Sequence, residues 1–205
     1  SVGPDGYTHQ AVEEIALMRA LPHMTMIVPC DFNEAKKATV EAASFPGPVY
    51  IRLGRSAVPL ITTPVDDFKI GKGVVLKEGS DVTIIACGTM CYYALKAAEE
   101  LVTLGINARV MNIHTLRPLD EALIVETAKK TGCILTVEEH TVYGGLGSAV
   151  SEVISQNFPV PVSFIGIKDR CGESGETEEL FEAFNLTAGN IVIKARDLVK
   201  NKKSR

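Results

Sequence analysis

Gly3-Pro4-Asp5-Gly6-Tyr7-Thr8-His9-Gln10, with the apolar-periodic run from Ala11 to Leu21 behind it, is the stretch from which the rest of the chain can be read. Pro4-Asp5-Gly6 is a tight-turn signature: proline presets φ, aspartate can bond its own backbone, and glycine accepts positive φ. Val12, Ile15, Ala16 and Ala20 recur at helical spacing, so an amphipathic helix is predicted with Thr8 as its N-cap and His9 in its first turn. The open N–H groups of such a helix start favour an anion. Taken singly, Asp5 reads as a turn residue and His9 as a solvated first-turn histidine.

Outward from this stretch, Met24 to Val28 reads as a short buried strand. Asp31-Phe32-Asn33-Glu34 has the spacing of a capping box that opens a helix to about Ala43. Pro46-Gly47-Pro48 stops it. Val49 to Leu53 is the next strand, and Gly54-Arg55-Ser56 is the loop at its C-terminal end, where open α/β sheets present ligand-binding side chains. Arg55 is therefore placed for function, while Arg52, within the strand, is expected to make a structural ion pair. The region from Ser56 to Lys72 carries Pro59, Pro64, Thr62-Thr63 and Asp66-Asp67 without periodicity and reads as a connection, which puts a domain boundary near Phe68.

The remainder alternates strand and helix: strand Val82 to Ala86, helix Cys91 to Leu104, strand Ala108 to Ile113, helix Asp120 to Thr131, strand Cys133 to Glu138, helix Leu146 to Asn157 and strand Val162 to Ile167. Terminal helices are predicted near Glu178 to Phe184 and Ala188 to Lys200. Gly105 and Gly132 sit where helix C-caps are wanted. This rhythm implies a mainly parallel sheet with helices on both faces. Gly144-Gly145-Leu146-Gly147 opens a helix after a strand, with Asp169 at about the distance of a ribose-binding acid. The glycines do not follow the strand at once, however, and Val150 takes the third glycine position of a dinucleotide fingerprint. Close backbone approach at a helix start, at a subunit contact, is the preferred reading of these glycines, and His140 reads as structural.

Composition narrows the function classes. The chain has 205 residues, is 46% hydrophobic and carries a net charge of −4, enough for one large or two modest globular domains. Its one basic run is the tail Lys200 to Arg205, which reads as a frayed end, so no nucleic-acid footprint is expected. Cys30, Cys87, Cys91, Cys133 and Cys171 form no C-x-x-C and are odd in number; they read as reduced thiols in a cytoplasmic protein. Cys87 and Cys91 lack a His or further Cys nearby, so no metal site is expected. No apolar run approaches a membrane span, and the first residues are no signal peptide.

The string Gly-Pro-Asp-Gly-Tyr-Thr-His-Gln, continued by Ala16-Leu17-Met18-Arg19-Ala20-Leu21-Pro22-His23-Met24 and Pro29-Cys30-Asp31 with Glu34, resembles the pyrimidine-binding domain of transketolases. The resemblance runs on through Tyr50 to Arg55, Leu116 to Asp120, Val137 to His140 and Gly144 to Gly147, and so covers almost the whole chain. The Gly-Pro-Asp-Gly and Leu-Gly-Arg forms are most similar to transketolases split into separate N- and C-terminal subunits. The resemblance implies an α/β fold: residues 1–67 as the latter half of a pyrimidine-binding domain plus linker, then residues 68–205 as a transketolase C-terminal-type α/β/α domain with a mainly parallel sheet and a dimer-interface role.

It also implies an activity: transfer of a two-carbon ketol unit between sugar phosphates with thiamine diphosphate and Mg (or Ca) in the complete enzyme. Residue by residue, Asp5 would accept a hydrogen bond from a substrate hydroxyl beside the reacting carbon, and His9 and Arg55 would bind the substrate phosphate. The glutamate that activates the thiamine pyrimidine, the aromatic residues that stack on it and the diphosphate-binding Gly-Asp-Gly…Asn pattern are expected on an N-terminal domain or subunit. The chain opens without methionine inside a motif and is expected to be truncated and inactive alone. Residues 1 to about 60 are then expected to be disordered or covered by another chain, with 71–199 folding independently. Deoxyxylulose-phosphate synthase, the β subunit of 2-oxo-acid dehydrogenase complexes, and a non-catalytic assembly module are the alternatives.

Overall fold

A computed structural model describes residues 3–203. After a 3-10 turn at Gly3–Asp5 come α1 (Tyr7–Gln10), α2 (Glu14–Ala20), β1 (Thr25–Ile27), α3 (Phe32–Ala42) and β2 (Val49–Ile51). The chain continues with β3 (Val74–Lys77), β4 (Val82–Ala86), α4 (Met90–Thr103), β5 (Ala108–Asn112), β6 (Thr115–Arg117) and α5 (Glu121–Thr131). It ends with β7 (Ile134–Thr141), α6 (Leu146–Asn157), β8 (Val162–Ile167), α7 (Thr177–Ala183) and α8 (Ala188–Lys203).

The larger sheet has the order β3-β5-β4-β7-β8; only β3 runs antiparallel, at one edge, as the expected mainly parallel α/β arrangement requires. Apolar runs without alternation explain its centre: β4 and β5 are buried at every position, as a strand covered by helices on both faces must be. Helix ends follow the sequence signals. Asp120 caps α5 by accepting the Leu123 N–H, and Gly132 ends it in the left-handed conformation at φ 67°.

The N-terminal segment does not stand apart from this domain. β1 pairs in parallel with β2 and antiparallel with β6, a three-residue strand that leaves the C-terminal sheet after β5. The Val28 N–H donates to the His114 carbonyl at 2.7 Å and the Thr141 N–H to that of Val12 at 2.8 Å. Val12 and Cys30 join the core of β4, α4 and α8, while Ile15, Met26 and Val28 join that of α5 and α6. Residues 3–60 are thus ordered and packed on the C-terminal part of the same chain, contrary to the expected disorder. β6, too short to show a pattern of its own, supplies the strand edge.

Three local expectations are corrected. The single helix from Thr8 is broken: Ala11 takes a left-handed φ of 43°, and Thr8 lies inside α1 after the N-cap Gly6. The bond from Thr141 to the Val12 carbonyl draws this point of the chain toward β7, which a continuous helix would not allow, and no long helix start remains for an anion. The capping box at Asp31 is half formed: Asp31 accepts the Glu34 N–H, but the Glu34 carboxylate accepts from the Cys30 N–H and Asn112 Nδ2 instead. The C-terminal tail is no frayed end at Lys200, since α8 continues to Lys203 and Lys202 Nζ donates to the carbonyls of Asp81 and Thr131; Ser204 and Arg205 lie outside the described residues, as do Ser1 and Val2.

Candidate active site

The turn that the sequence marks as functional is built. Gly6 adopts φ 75° and donates to the Gly3 carbonyl, so Asp5 projects from a tight 3-10 turn, while the Gly175 N–H donates to the same carbonyl and seats the turn on the loop before α7. Arg55 follows β2 in the predicted loop. Its guanidinium forms an ion pair with the Asp5 carboxylate, at an exposure of 64% for Arg55 and 36% for Asp5. Two of the three expected substrate residues, fifty positions apart in sequence, therefore meet at a solvent-reachable point. His9 is exposed one turn further on, with its Nδ1 3.0 Å from Thr8 Oγ1, and makes no contact with either.

Beside the pair lies a cavity of about 640 Å³ between the N-terminal segment and the C-terminal part. Gly54 and Ser56, the neighbours of Arg55, line one wall; Gly88 and Thr89 after β4, Tyr93 of α4, Glu139 of β7 and Thr177 of α7 line the others. Ser56 Oγ and Thr177 Oγ1 stand 3.1 Å apart and link the Arg55 loop to α7. β5 and β7 flank β4, and the chain reverses direction across the sheet there, so the cavity opens at the C-terminal ends of strands beside a topological switch point.

Beneath the loop, Arg52 makes the ion pair expected of it: its Nε lies 2.8 Å from Glu14 Oε1 and its Nη1 3.9 Å from Glu139 Oε2, with all three side chains nearly buried. The two carboxylates hold the Arg52 guanidinium charged against the cost of burial. An arginine clamped from α2 and β7 fixes the end of β2 from which Arg55 hangs.

Sequence reasoning missed Glu138. Fully buried, it accepts the N–H groups of Leu146 and Gly147 at 2.7 and 2.9 Å, so the amides that open α6 are satisfied by a carboxylate of the same chain. The Gly144 to Gly147 loop thus closes on Glu138 and offers no phosphate cradle, in keeping with the close-approach reading, and Asp169 sits exposed on another loop. The available signal was a helix opening on Gly-Gly-Leu-Gly, without a Ser, Thr or Asp to cap it: its N–H groups had to find an acceptor elsewhere. His140 is buried, its Nδ1 bonded to the Thr141 carbonyl at 2.7 Å and its Nε2 accepting the Ile15 N–H. Burial, with Arg52 and Arg19 nearby, pushes its pKa down to about 4; a neutral ring with both nitrogens engaged is a structural histidine.

Among the described residues no group of three or more His, Cys, Asp or Glu is placed to hold a metal ion, and no helix is long and apolar enough to cross a membrane.

Comparison with known proteins agrees with this architecture. The model for the transketolase pyrimidine-binding domain matches residues 1–60 and that for the transketolase C-terminal domain matches residues 71–191. The 6-deoxy-6-sulfo-D-fructose transketolase subunit of Clostridium sp. strain MSTE9 is 43% identical over 201 residues, covering 98% of this chain and 62% of its own. One of the subunits of the apulose-4-phosphate transketolase of Phocaeicola vulgatus is 40% identical over 199 residues, covering 97% and 64%. A solved split-gene transketolase, described as an inactive β4 tetramer, superposes with a TM-score of 0.89 at 45% identity, covering 96% of this chain and 64% of that one. The chain spans just under two thirds of the length of these relatives. With two adjoining domain models accounting for nearly all of it, and the paired Asp5 and Arg55 falling in the first, the chain belongs to the transketolase family.

Proposed function

We propose that this chain is the pyrimidine-side and C-terminal portion of a transketolase that moves a two-carbon ketol unit from a ketose phosphate to an aldose phosphate. The observation that carries the reading is the meeting of Asp5 with Arg55, whose loop neighbours Gly54 and Ser56 line the large cavity. A carboxylate, acceptor-only when ionised, and a guanidinium fork are the groups wanted for a substrate hydroxyl and for its phosphate. Without substrate they neutralise one another. A sugar phosphate would part them: its phosphate replaces the carboxylate on Arg55, and one of its hydroxyls donates to the carboxylate set free. His9, on the next turn, adds a further donor to the phosphate.

The thiamine diphosphate and divalent cation of such an enzyme belong, on this reading, to an N-terminal transketolase domain or subunit. The split-gene neighbour described as an inactive tetramer supports the view that such a chain alone self-associates without activity. The complete enzyme is an oligomer in which this chain supplies the substrate-side wall.

The test is reconstitution with the N-terminal transketolase section and an assay of ketol transfer from a ketose phosphate to an aldose phosphate. Transfer by the assembled enzyme, absent from either part alone, is expected. Formation of a deoxyketose phosphate from pyruvate instead would assign the assembly to synthase chemistry and overturn the reading.

A further inference from the structure

A second cavity, about 270 Å³, lies at the far edge of the larger sheet, around the C-terminal end of β8 and the start of α8. One wall is the buried ring of Phe184. Phe164, Ile165 and Gly166 of β8 and Ile193 of α8 add to its apolar side. The remaining lining is cationic or amide: Lys168 and Arg170 follow β8, Asn185 follows α7, and Asn190 and Lys194 stand on α8. It shares no lining residue with the cavity beside Asp5 and Arg55.

The backbone is bent to build this rim. Asp169 takes a left-handed φ of 44° between Lys168 and Arg170, so that both line the same cavity, and Asn185 takes φ 58° where α7 turns back toward α8. A left-handed conformation is uncommon outside glycine. Arg170 is held in place, its guanidinium 4.7 Å over the Phe184 ring, Nη1 donating to the Ala183 carbonyl at 3.0 Å and Nη2 to Glu173 Oε1 at 2.6 Å. Lys168 and Lys194 have no carboxylate within ion-pair distance among the described residues. Three cations and no carboxylate from these residues line the cavity, on a chain whose net charge is −4; Asp169 and Glu173 lie on the loop after β8, Glu173 paired with Arg170.

We propose that this cavity binds a small phosphate ester, its phosphate held by Lys168, Arg170 and Lys194 and its organic part set against Phe184 and the amides of Asn185 and Asn190. The three cations supply the point charges and fork that phosphate recognition uses. A concave site of this volume admits one small metabolite rather than a polymer backbone, and its place at a strand's C-terminal end is where α/β sheets present ligand loops.

The experiment is calorimetric titration of the 205-residue chain carrying Arg55→Ala, which removes the main phosphate contact proposed at the first cavity. The probes are a hexose 6-phosphate, adenosine monophosphate and their unphosphorylated counterparts. Saturable binding of one or both esters, and of neither counterpart, is expected; whichever ester binds more tightly identifies the organic part. Adding Lys168→Ala with Lys194→Ala, both exposed and so without cost to the fold, should weaken that binding at least about tenfold, the scale of one lost charge-assisted contact. Absence of saturable binding, or binding unchanged in the lysine double variant, would overturn the proposal.

Discussion

His140 Nε2 accepts the backbone N–H of Ile15 at 3.1 Å, tying the N-terminal segment to the end of β7. The bond requires an unprotonated Nε2, and a proton arriving there would face an N–H donor. Two residues earlier on the same strand, burial pushes the Glu138 carboxyl up to about 7, against the pull of the Gly147 and Leu146 N–H groups.

These two groups oppose one another in acid. His140, depressed from 6.5 to about 4, contributes stability that is present above pH 6.5 and lost as pH falls toward 4. Glu138, raised from 4.5 to about 7, contributes stability that is present below pH 4.5 and lost as pH rises through 7. Their slopes cancel between pH 4.5 and 6.5. In Glu138→Gln the histidine slope should stand alone, stability falling by roughly 1.4 kcal/mol per pH unit on acidification through this range. Urea unfolding across it measures the slope; identical profiles for wild type and Glu138→Gln would show that the pair does not titrate as argued.

The parts of the fold that were legible are those with local causes. β4, α6 and β8 occupy the residues expected of them, because apolar runs bounded by glycine, proline or charged residues define their ends. β3 and β6 had no such signal: β3 is a half-buried antiparallel edge, and β6 is three residues ended by Pro118 whose partner β1 lies some ninety positions earlier. The break at Ala11 likewise comes from a distant bond to Thr141. At the candidate site, Arg52 could be assigned to an ion pair because the chain there runs into the fold, although β2 ends at Ile51, one residue before it. Glu138, at the end of a predicted strand, could not be assigned, since nothing local says which carboxylate the amides that open α6 will meet. Family resemblance assigned Asp5 and Arg55 to one substrate, but their ion pair was not legible, because no pattern in either loop points to the other.

Close approach at the start of α6 predicts a steric contrast among glycines. A Cβ at Gly145 would overlap Glu138 Oε2 and stand 2.8 Å from His140 Nδ1, both fixed by other bonds. Gly145→Ala should therefore cost about 1–3 kcal/mol, the usual penalty for overpacking a core. Gly189, within α8, has no atom nearer than 4.0 Å to its added Cβ, and Gly189→Ala should be neutral or stabilising by less than about 1 kcal/mol. Thermal unfolding of the two variants compares them directly; equal effects would remove the argument for the Glu138 contact.

Thiol chemistry offers a check on how the two parts of the chain share a core. Cys30, Cys87, Cys91 and Cys133 are buried and Cys171 is exposed. Burial pushes the Cys87, Cys91 and Cys133 thiols up, which withholds their reactive thiolate forms. A disulfide reagent should modify a single thiol quickly in the native chain, shown by mapping to be Cys171, and all five after unfolding. Fast labelling of Cys30 would mean that the N-terminal segment lifts off the C-terminal core.

The ion pair between Arg55 and Asp5 bears most directly on substrate. If Arg55 holds the acceptor's phosphate in the assembled enzyme, Arg55→Ala removes a charge-assisted contact worth roughly 1.5–3 kcal/mol, about ten- to a hundredfold in kcat/KM. An aldose without phosphate never makes that contact, so its kcat/KM should change little. Arg55→Lys should recover only part of the loss, because a point charge does not reproduce the fork. Asp5→Asn separates the two roles: it leaves Arg55 without its partner but keeps a hydrogen-bonding side chain, so it should lower kcat/KM for phosphorylated and unphosphorylated aldoses alike. The decisive quantity is the ratio of kcat/KM for the two aldoses, in wild type and in each variant. A ratio unmoved by Arg55→Ala would make Arg55 a structural partner of Asp5, and the phosphate would have to be held elsewhere.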